Sequence, residues 1–451
     1  MRLFEILLAV ISFILVLQSF SIIKIKLLKY ILPSITGIFF LIHFFYEGMR
    51  WQMSLIYLIL FCTILALLFK LKVKNKIVKW IVFFFCVLGI VVSHTLSYLI
   101  PIFSLPKTNG IFTIVTLNQT TQSGLEYKIW LPTKQDLNSL KSNYHQSPSN
   151  DLDGLMGMPG FIFSHLKLVK TNAFPDNKTI KTENKKPLIL YSHGASSTEV
   201  DNTALIEELV SQGYVVAAVN HKFSFKQYGL DINEAKKVEI EAQKTLINQL
   251  IKKAVPNQVS HYKDIIHELK LAYPNQIDFD NIVLIGHSLG GATACSGALE
   301  IKNVKAVINM DGPIDLKITS NFSLPLLYFS SFSPDLSEEE LKKLQVSPSF
   351  YKGVKKYELK AVQKLFNNNR DEKYWARFKN ANHLDFTDIP YMIPMMSAPN
   401  YDKVKGHELK TKIILSFIAK QLNGSNKNII IMDESLEWIK PTTANKPIPK
   451  K

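Results

Sequence analysis

The chain has 451 residues, 47% of them hydrophobic, and its 53 Lys and Arg against 37 Asp and Glu leave a formal charge of +16. Half of that excess sits in residues 1–101, which hold 10 basic and 2 acidic residues, and no basic stripe with interleaved aromatics stands out. Composition therefore argues against a nucleic-acid partner and for attraction to an anionic membrane surface. The three cysteines, Cys62, Cys86 and Cys295, indicate neither a disulfide framework nor a metal site, and no cofactor is expected.

The first 106 residues contain four stretches without Asp, Glu, Lys or Arg, at 6–23, 30–46, 51–69 and 80–106, filled largely with Leu, Ile, Phe and Val. Each is close to the ~17–25 apolar residues that a helix needs to cross a bilayer. This predicts a membrane region over 1–101 with four transmembrane helices, at about 4–23, 29–46, 52–69 and 80–101. A cleaved signal peptide is disfavoured because no small-residue cleavage site follows the first stretch and three more come after it. Buried core helices are disfavoured because such helices usually carry a polar face. Lys24, Lys26 and Lys29 lie in the first connection and Lys70, Lys72, Lys74, Lys76 and Lys79 in the third, whereas the second offers only Arg50 opposite Glu47. By the positive-inside rule the first and third connections face the cytoplasm. The expectation is an integral membrane protein whose remaining chain is extracytoplasmic.

From residue 112 onward short β-rich runs alternate with helical segments, the pattern of an α/β fold with a mostly parallel central sheet covered by helices on both faces. Strands are expected at 112–118, 125–131, 187–192, 214–219, 281–285, 305–309, 324–329 and 373–379, and helices at 199–212, 232–254, 258–273, 289–301, 337–345, 355–368 and 406–422. Runs such as Leu188-Ile189-Leu190-Tyr191 and Ile282-Val283-Leu284-Ile285 are continuously apolar, as in strands buried on both faces. The domain is expected over 102–424, interrupted by an insertion at 133–186 with Gly154, Gly157, Pro159 and Gly160 beside Phe161, Ile162 and Phe163, which suggests an apolar lid or entry surface. Residues 425–451 are expected to form a tail whose Lys/Pro-rich end is disordered.

The sharpest chemical signal is Gly286-His287-Ser288-Leu289-Gly290-Gly291, which follows an apolar run and precedes the helical stretch Ala292-Thr293-Ala294. Strand, tight turn and helix in that order place Ser288 at the tip of a strained turn. Small residues two before and two after it, Gly286 and Gly290, let strand and helix pack closely, as in the α/β-hydrolase fold. An ordinary Gly-rich turn is the competing explanation. An acyl transfer also needs donors for an oxyanion. In such folds one backbone N–H comes from the loop after the third strand, here Ser192-His193-Gly194-Ala195, and one from the residue after the nucleophile, so Ala195 and Leu289 are the expected pair. The base must follow the last strand, which singles out His383; His407, the histidine beyond it, opens a helix and suits a solvated surface role. For the acid, Asp311 ends an apolar strand, where a carboxylate is costly unless hydrogen-bonded. Asp335 reads equally well as part of a helix N-cap, so Asp311 is the preferred member of the triad Ser288, His383 and Asp311.

With these residues in place, the chain resembles the plasma-type platelet-activating-factor acetylhydrolase family, including its bacterial membrane-bound relatives. The resemblance runs over most of 101–422: Pro101 to Pro106 as the domain opening, Ser192-His193-Gly194 as the oxyanion loop, the turn around Ser288, Asp311 after the sixth strand, and His383-Leu384-Asp385-Phe386-Thr387-Asp388 as the base loop. Glu47-Gly48-Met49-Arg50-Trp51-Gln52 also looks like a feature of the membrane-bound relatives. The resemblance implies a metal-free serine esterase or lipase in a bacterial cell membrane, releasing short or oxidised acyl chains from phospholipid-like substrates. Ala195 and the long stretch 331–372 depart from the family pattern and bear on the acyl pocket. Two other readings fit the same residues: an acyltransferase using the same triad, and a non-catalytic membrane sensor on a hydrolase fold.

Overall fold

The apolar runs at 188–191 and 282–285 become adjacent central strands with no solvent on either face. The computed structural model describes residues 2–23, 26–71, 73–135, 137, 139–145, 159–175, 184–222, 226–228, 240–331, 339, 342, 348, 360–366, 372–425 and 428–439. Ten strands form one sheet: β1 (Thr113–Thr120), β2 (Glu126–Thr133), β3 (Phe174–Pro175), β4 (Lys186–Ser192), β5 (Val215–Val219), β6 (Ile277–His287), β7 (Val304–Met310), β8 (Leu326–Ser331), β9 (Lys373–Phe378) and β10 (Leu436–Trp438). Their order is β10-β9-β8-β7-β6-β4-β5-β2-β1-β3, with the strands from β5 through β9 parallel and the β1–β2 hairpin antiparallel. Parallel strands buried on both faces need apolar side chains pointing both ways, which accounts for the loss of alternation in β4, β5 and β6. The two faces carry separate cores. Ile189, Ile285, Ile308 and Phe417 lie on one side, and Leu190, Leu284, Val307 and Tyr262 on the other.

The N-terminal segment folds as α1 (Leu3–Ser19), α2 (Lys26–Ile42), α3 (Ser54–Leu68) and α4 (Lys76–Leu99). Among the described residues two helices, Trp51–Leu68 and Lys76–Leu99, are long and apolar enough to cross a membrane; Leu3–Ser19 and Ile31–Glu47 are apolar but shorter. The expected four spans are thus reduced to two by length and composition. Asn75 caps α4 by accepting hydrogen bonds from the amides of Ile77 and Val78.

In the sheet domain α5 (Thr203–Ser211), α6 (Ile240–Ala272), α7 (Leu289–Gly297) and α8 (Lys403–Asn423) cover the faces. The two helices expected at 232–254 and 258–273 are one, running through Pro256. Proline removes one backbone hydrogen bond and usually kinks or ends a helix. Here Ala254, Val255 and Val259, packed against Leu289 and Ala292, hold the flanking turns together. The sheet also extends past residue 424, because Leu436–Trp438 adds β10 antiparallel to β9. Most of the expected helix at 337–345, the glycines Gly154 and Gly157, the alternative acid Asp335 and the tail beyond 439 lie outside the described residues.

Candidate active site

Strand β6 hands over to α7 at Ser288, whose backbone stands at φ 55° and ψ −125°. That is an uncommon conformation for a residue with a side chain. The turn closes only because of glycine: a Cβ on Gly286 would collide with the Gly290 carbonyl, and one on Gly290 with the Ser192 carbonyl. The Ser288 amide donates to the Met310 carbonyl at 3.0 Å, tying the turn to the end of β7. Ser288 remains half-buried, so a substrate can reach it.

Directly after β7, Asp311 also has a positive φ, 56°. Its Oδ2 accepts a hydrogen bond from His383 Nδ1 at 2.7 Å, and Ser331 at the end of β8 donates to the same carboxylate from its amide and its hydroxyl, both at 2.8 Å. Burial pushes the Asp311 carboxyl up, but the hydrogen bond and charge of His383 and the two Ser331 donors outweigh it, leaving the pKa below 3.8. His383 itself is exposed and sits in a short helical turn, His383–Phe386, that Asn382 caps by accepting from the Leu384 amide.

The ring of His287 lies beside that of His383, with centroids 4.7 Å apart, and its Nε2 donates to the His383 carbonyl at 2.9 Å. Burial and the neighbouring His383 lower the His287 pKa to about 3, so His287 is a neutral spacer between the nucleophile turn and the His383 loop. On the other side, Gly194 abuts Ser288 so closely that a Cβ there would sit 3.1 Å from that of Ser288. This brings the 192–196 loop against the serine. Buried His193, lowered to about 4 by desolvation, donates from Nδ1 to the Gly194 carbonyl and accepts at Nε2 from the His221 amide, which fixes the loop. Leu289 opens α7, and the first amides of a helix have no partner within it. Among the described residues, no group of three or more His, Cys, Asp or Glu could hold a metal ion.

Behind the loop lies a buried polar network that sequence reading missed. Ser197 and Tyr191 donate to Asp201 at 2.7 and 2.6 Å, and Asn202 donates to the Tyr191 hydroxyl at 3.2 Å and to the Phe386 carbonyl at 2.7 Å. Lys410 of α8 reaches that same carbonyl at 2.8 Å. The network joins the 192–201 loop to the turn that carries His383. Asn309 was also missed, although an amide inside the run Ile308-Asn309-Met310 is a signal: its Oδ1 accepts from the Gly312 amide at 2.7 Å just past Asp311. His407 departs from its expected surface role, since it is buried and its pKa is lowered to about 3 by desolvation and by Lys410.

The sequence profile of the family described as platelet-activating factor acetylhydrolase, isoform II, matches residues 109–264 and 235–429, segments that contain the nucleophile turn, Asp311 and His383. The chain belongs to that family. Curated platelet-activating factor acetylhydrolases from Canis lupus familiaris and Cavia porcellus are 25% and 26% identical to it, over 50% and 66% of this chain and 60% and 70% of theirs. The chain thus spans about 60% of the length of the dog protein, and the same share of the relative from Bos taurus. A solved structure of a ferulic acid esterase from Streptomyces cinnamoneus superposes with a TM-score of 0.51 at 19% identity, covering 74% of this chain and 98% of the esterase. That likeness is one of fold: an α/β architecture with a mostly parallel sheet. Residues 1–108 lie ahead of the platelet-activating factor acetylhydrolase match.

Proposed function

We propose that this chain is a membrane-anchored serine carboxylic ester hydrolase acting on phospholipid-like substrates with short or modified acyl chains. The observation that carries the reading is the 2.7 Å contact between His383 Nδ1 and Asp311, formed beside a serine held at positive φ between a strand and a helix. Family membership supports it from the side of sequence.

In the proposed reaction Ser288 Oγ attacks the ester carbonyl. With Nδ1–H donated to Asp311, the basic nitrogen of His383 is Nε2, which takes the serine proton and then passes it to the leaving alcohol. Asp311 stabilises the imidazolium that forms. The amides of Ala195 and Leu289 bind the oxyanion, aided by the positive end of α7. Water, activated by the same imidazole, releases the acid and restores the serine.

Anchoring is the second part of the proposal: residues 1–101 are the membrane region and 102–424 the core of an extracytoplasmic catalytic domain. Large apolar side chains turned outward along α1–α4, such as Phe61, Ile77, Phe84 and Phe85, support it, as does the lysine pattern of the connections. Tethering raises the effective concentration of lipid esters around the site, which favours a lipid substrate over a soluble one. A fluorophosphonate probe tests the chemistry. Labelling of the parent that disappears in Ser288→Ala and weakens strongly in His383→Ala is expected, and equal labelling in all three would end the assignment.

A further inference from the structure

Three strands along the catalytic edge from Ser288, a polar cavity of about 240 Å³ opens where the end of β1, the start of β2 and the residue after β5 meet the 192–200 loop and the insertion. Asn118, Glu126, Lys128, Tyr144, Glu199 and Asn220 are among its walls. Lys128 is only 2% exposed, and its ammonium lies 5.0 Å from the Trp130 ring centroid. Among the described residues its ammonium makes no hydrogen bond or ion pair, and the carboxylates whose charge it feels are Glu199 and, more weakly, Glu207. Across the same cavity, Glu199 Oε2 is buried without a hydrogen-bond partner. Burial lowers the lysine pKa and raises the glutamate pKa, while each charge partly compensates the other at a distance.

A buried ammonium and a carboxylate with one buried, unpaired oxygen, not joined to each other, are costly to maintain unless something polar bridges them. A plain anion would meet Lys128 but be repelled by Glu199; a plain cation meets the reverse. A neutral polyol would leave both charges unneutralised. A zwitterion satisfies both. The cavity is joined to the candidate site through the chain. Val200 and Glu199 continue the segment that bears Ala195, and the Tyr144 hydroxyl lies 2.7 Å from the Val200 carbonyl and 2.9 Å from Asp388 Oδ2, five residues beyond His383. From β6 across β4 and β5 to β2 is three strand spacings, about 14 Å at ~4.8 Å each.

We propose that this cavity is the subsite for the zwitterionic head of the ester substrate, with a phosphate oxygen against Lys128 and the head-group cation against Glu199. The proposal rests on the reading of Ser288 as nucleophile. Its test uses the full chain in maltoside micelles and two acetyl esters, one of glycerophosphocholine and one of p-nitrophenol, comparing kcat/KM between them. The ratio of the phosphocholine ester to p-nitrophenyl acetate should fall at least tenfold in Lys128→Met and in Glu199→Gln. For Glu199→Gln an acetyl ester with a phosphomonoester head should gain on the phosphocholine ester. Ratios that stay at the parent value in both variants overturn the subsite. Should Lys128→Met fail to fold, Glu199→Gln and ligand protection decide: glycerophosphocholine should raise the parent's thermal midpoint and not that of Glu199→Gln. No rise in the parent means that the cavity holds water alone, and an equal rise with inorganic phosphate means a free-anion site; either result rejects the proposal. Failure of the underlying reading looks different, because p-nitrophenyl acetate turnover would then survive Ser288→Ala.

Discussion

In the N-terminal region the interior holds Glu5, His43, Arg50 and Gln52 beside an apolar cluster of Leu8, Leu15, Met53 and Ile56, while Phe45, Ile77, Phe84 and Phe85 face outward; in the sheet domain the two cores are built mainly of Val, Ile, Leu and Phe, with buried polar groups such as Asp201, Glu207 and Lys410 outside them. The N-terminal ion pairs are specific. Arg50 Nη2 and Arg2 Nη2 each donate to Glu5 at 2.7 Å, and His43 lies 2.9 Å from Glu47 and 2.6 Å from the Tyr57 hydroxyl. One region sets buried ion pairs beside its apolar cluster and turns further apolar side chains outward, whereas the other turns its apolar side chains inward. The first arrangement is the one that the proposed membrane anchoring calls for, hydrocarbon outside and polar contacts within, and the second suits water. The regions also touch: Trp51 Nε1 donates to the Ile162 carbonyl at 3.1 Å, and its ring meets Phe161 edge-on at 5.4 Å.

If polar chemistry at the rim is what the sheet domain exists to hold, the largest loss should come from the proposed triad. Ser288→Ala is expected to lower kcat by roughly 10⁴-fold or more, and Asp311→Asn by roughly 10⁴-fold, with the thermal midpoint little moved. Esterase assays beside a melting curve check both, and a large fall in stability would mean that the site residues also carry the fold. The contrast reverses for Arg50→Ala. Stripping one partner from a buried ion pair costs about 3 kcal/mol or more, and Arg50 also binds the Ile100 carbonyl at 2.9 Å, where the chain leaves α4. Stability in micelles should drop while kcat per folded molecule on p-nitrophenyl acetate stays near the parent value. A parallel collapse of kcat would show that the two regions are not independent.

Acid sharpens the comparison further. His193, His287 and His407 are buried neutral, lowered to about 4, 3 and 3 respectively, against 6.5 for the unfolded chain. Below pH 6.5 the unfolded state takes up protons that the folded state refuses, so stability present above that pH is lost progressively on acidification. Each histidine adds up to about 1.4 kcal/mol per pH unit to the slope. Denaturant titrations between pH 6 and 4 should show His407→Gln losing about that much slope, and an unchanged slope would reject the buried-neutral assignment. Asp311 works lower, contributing stability above 3.8 that disappears only as pH falls through its depressed folded value. The smallest effect belongs to Ser331→Ala. Removing one of its two bonds to Asp311 should cost about 1 kcal/mol, roughly fivefold in kcat/KM, with the Ser331 amide still in place.

Most of the sheet was legible because its signals are local. Continuous apolar runs mark β4, β5, β6 and β7, and the glycines around Ser288 announce a turn whose geometry admits no Cβ. What escaped depends on contacts between distant segments. Tyr144 reads as an unremarkable aromatic until folding sets its hydroxyl against Val200 and Asp388, and Lys410 reads as a solvated helix residue until it is found beneath the Phe386 carbonyl. His407 misled for the same reason, since a helical face cannot be assigned to core or solvent without knowing what packs on it. Pro256 misled in the opposite direction: a strong local signal for a break was overridden by the packing around it. The N-terminal region shows a third limit. Composition reveals apolar stretches, but the helix ends that decide spanning length are set by caps and turns, such as the π-helical turn His43–Glu47 that closes α2.

The left-handed backbone at Asp311 has a consequence for how such a chain ages. Only glycine, asparagine and aspartate visit that conformation routinely, so the commonest tolerated replacements there are ones that discard the carboxylate and keep the loop's shape. On the proposed assignment, a single codon change to asparagine or glycine therefore removes the acid while the loop keeps its backbone.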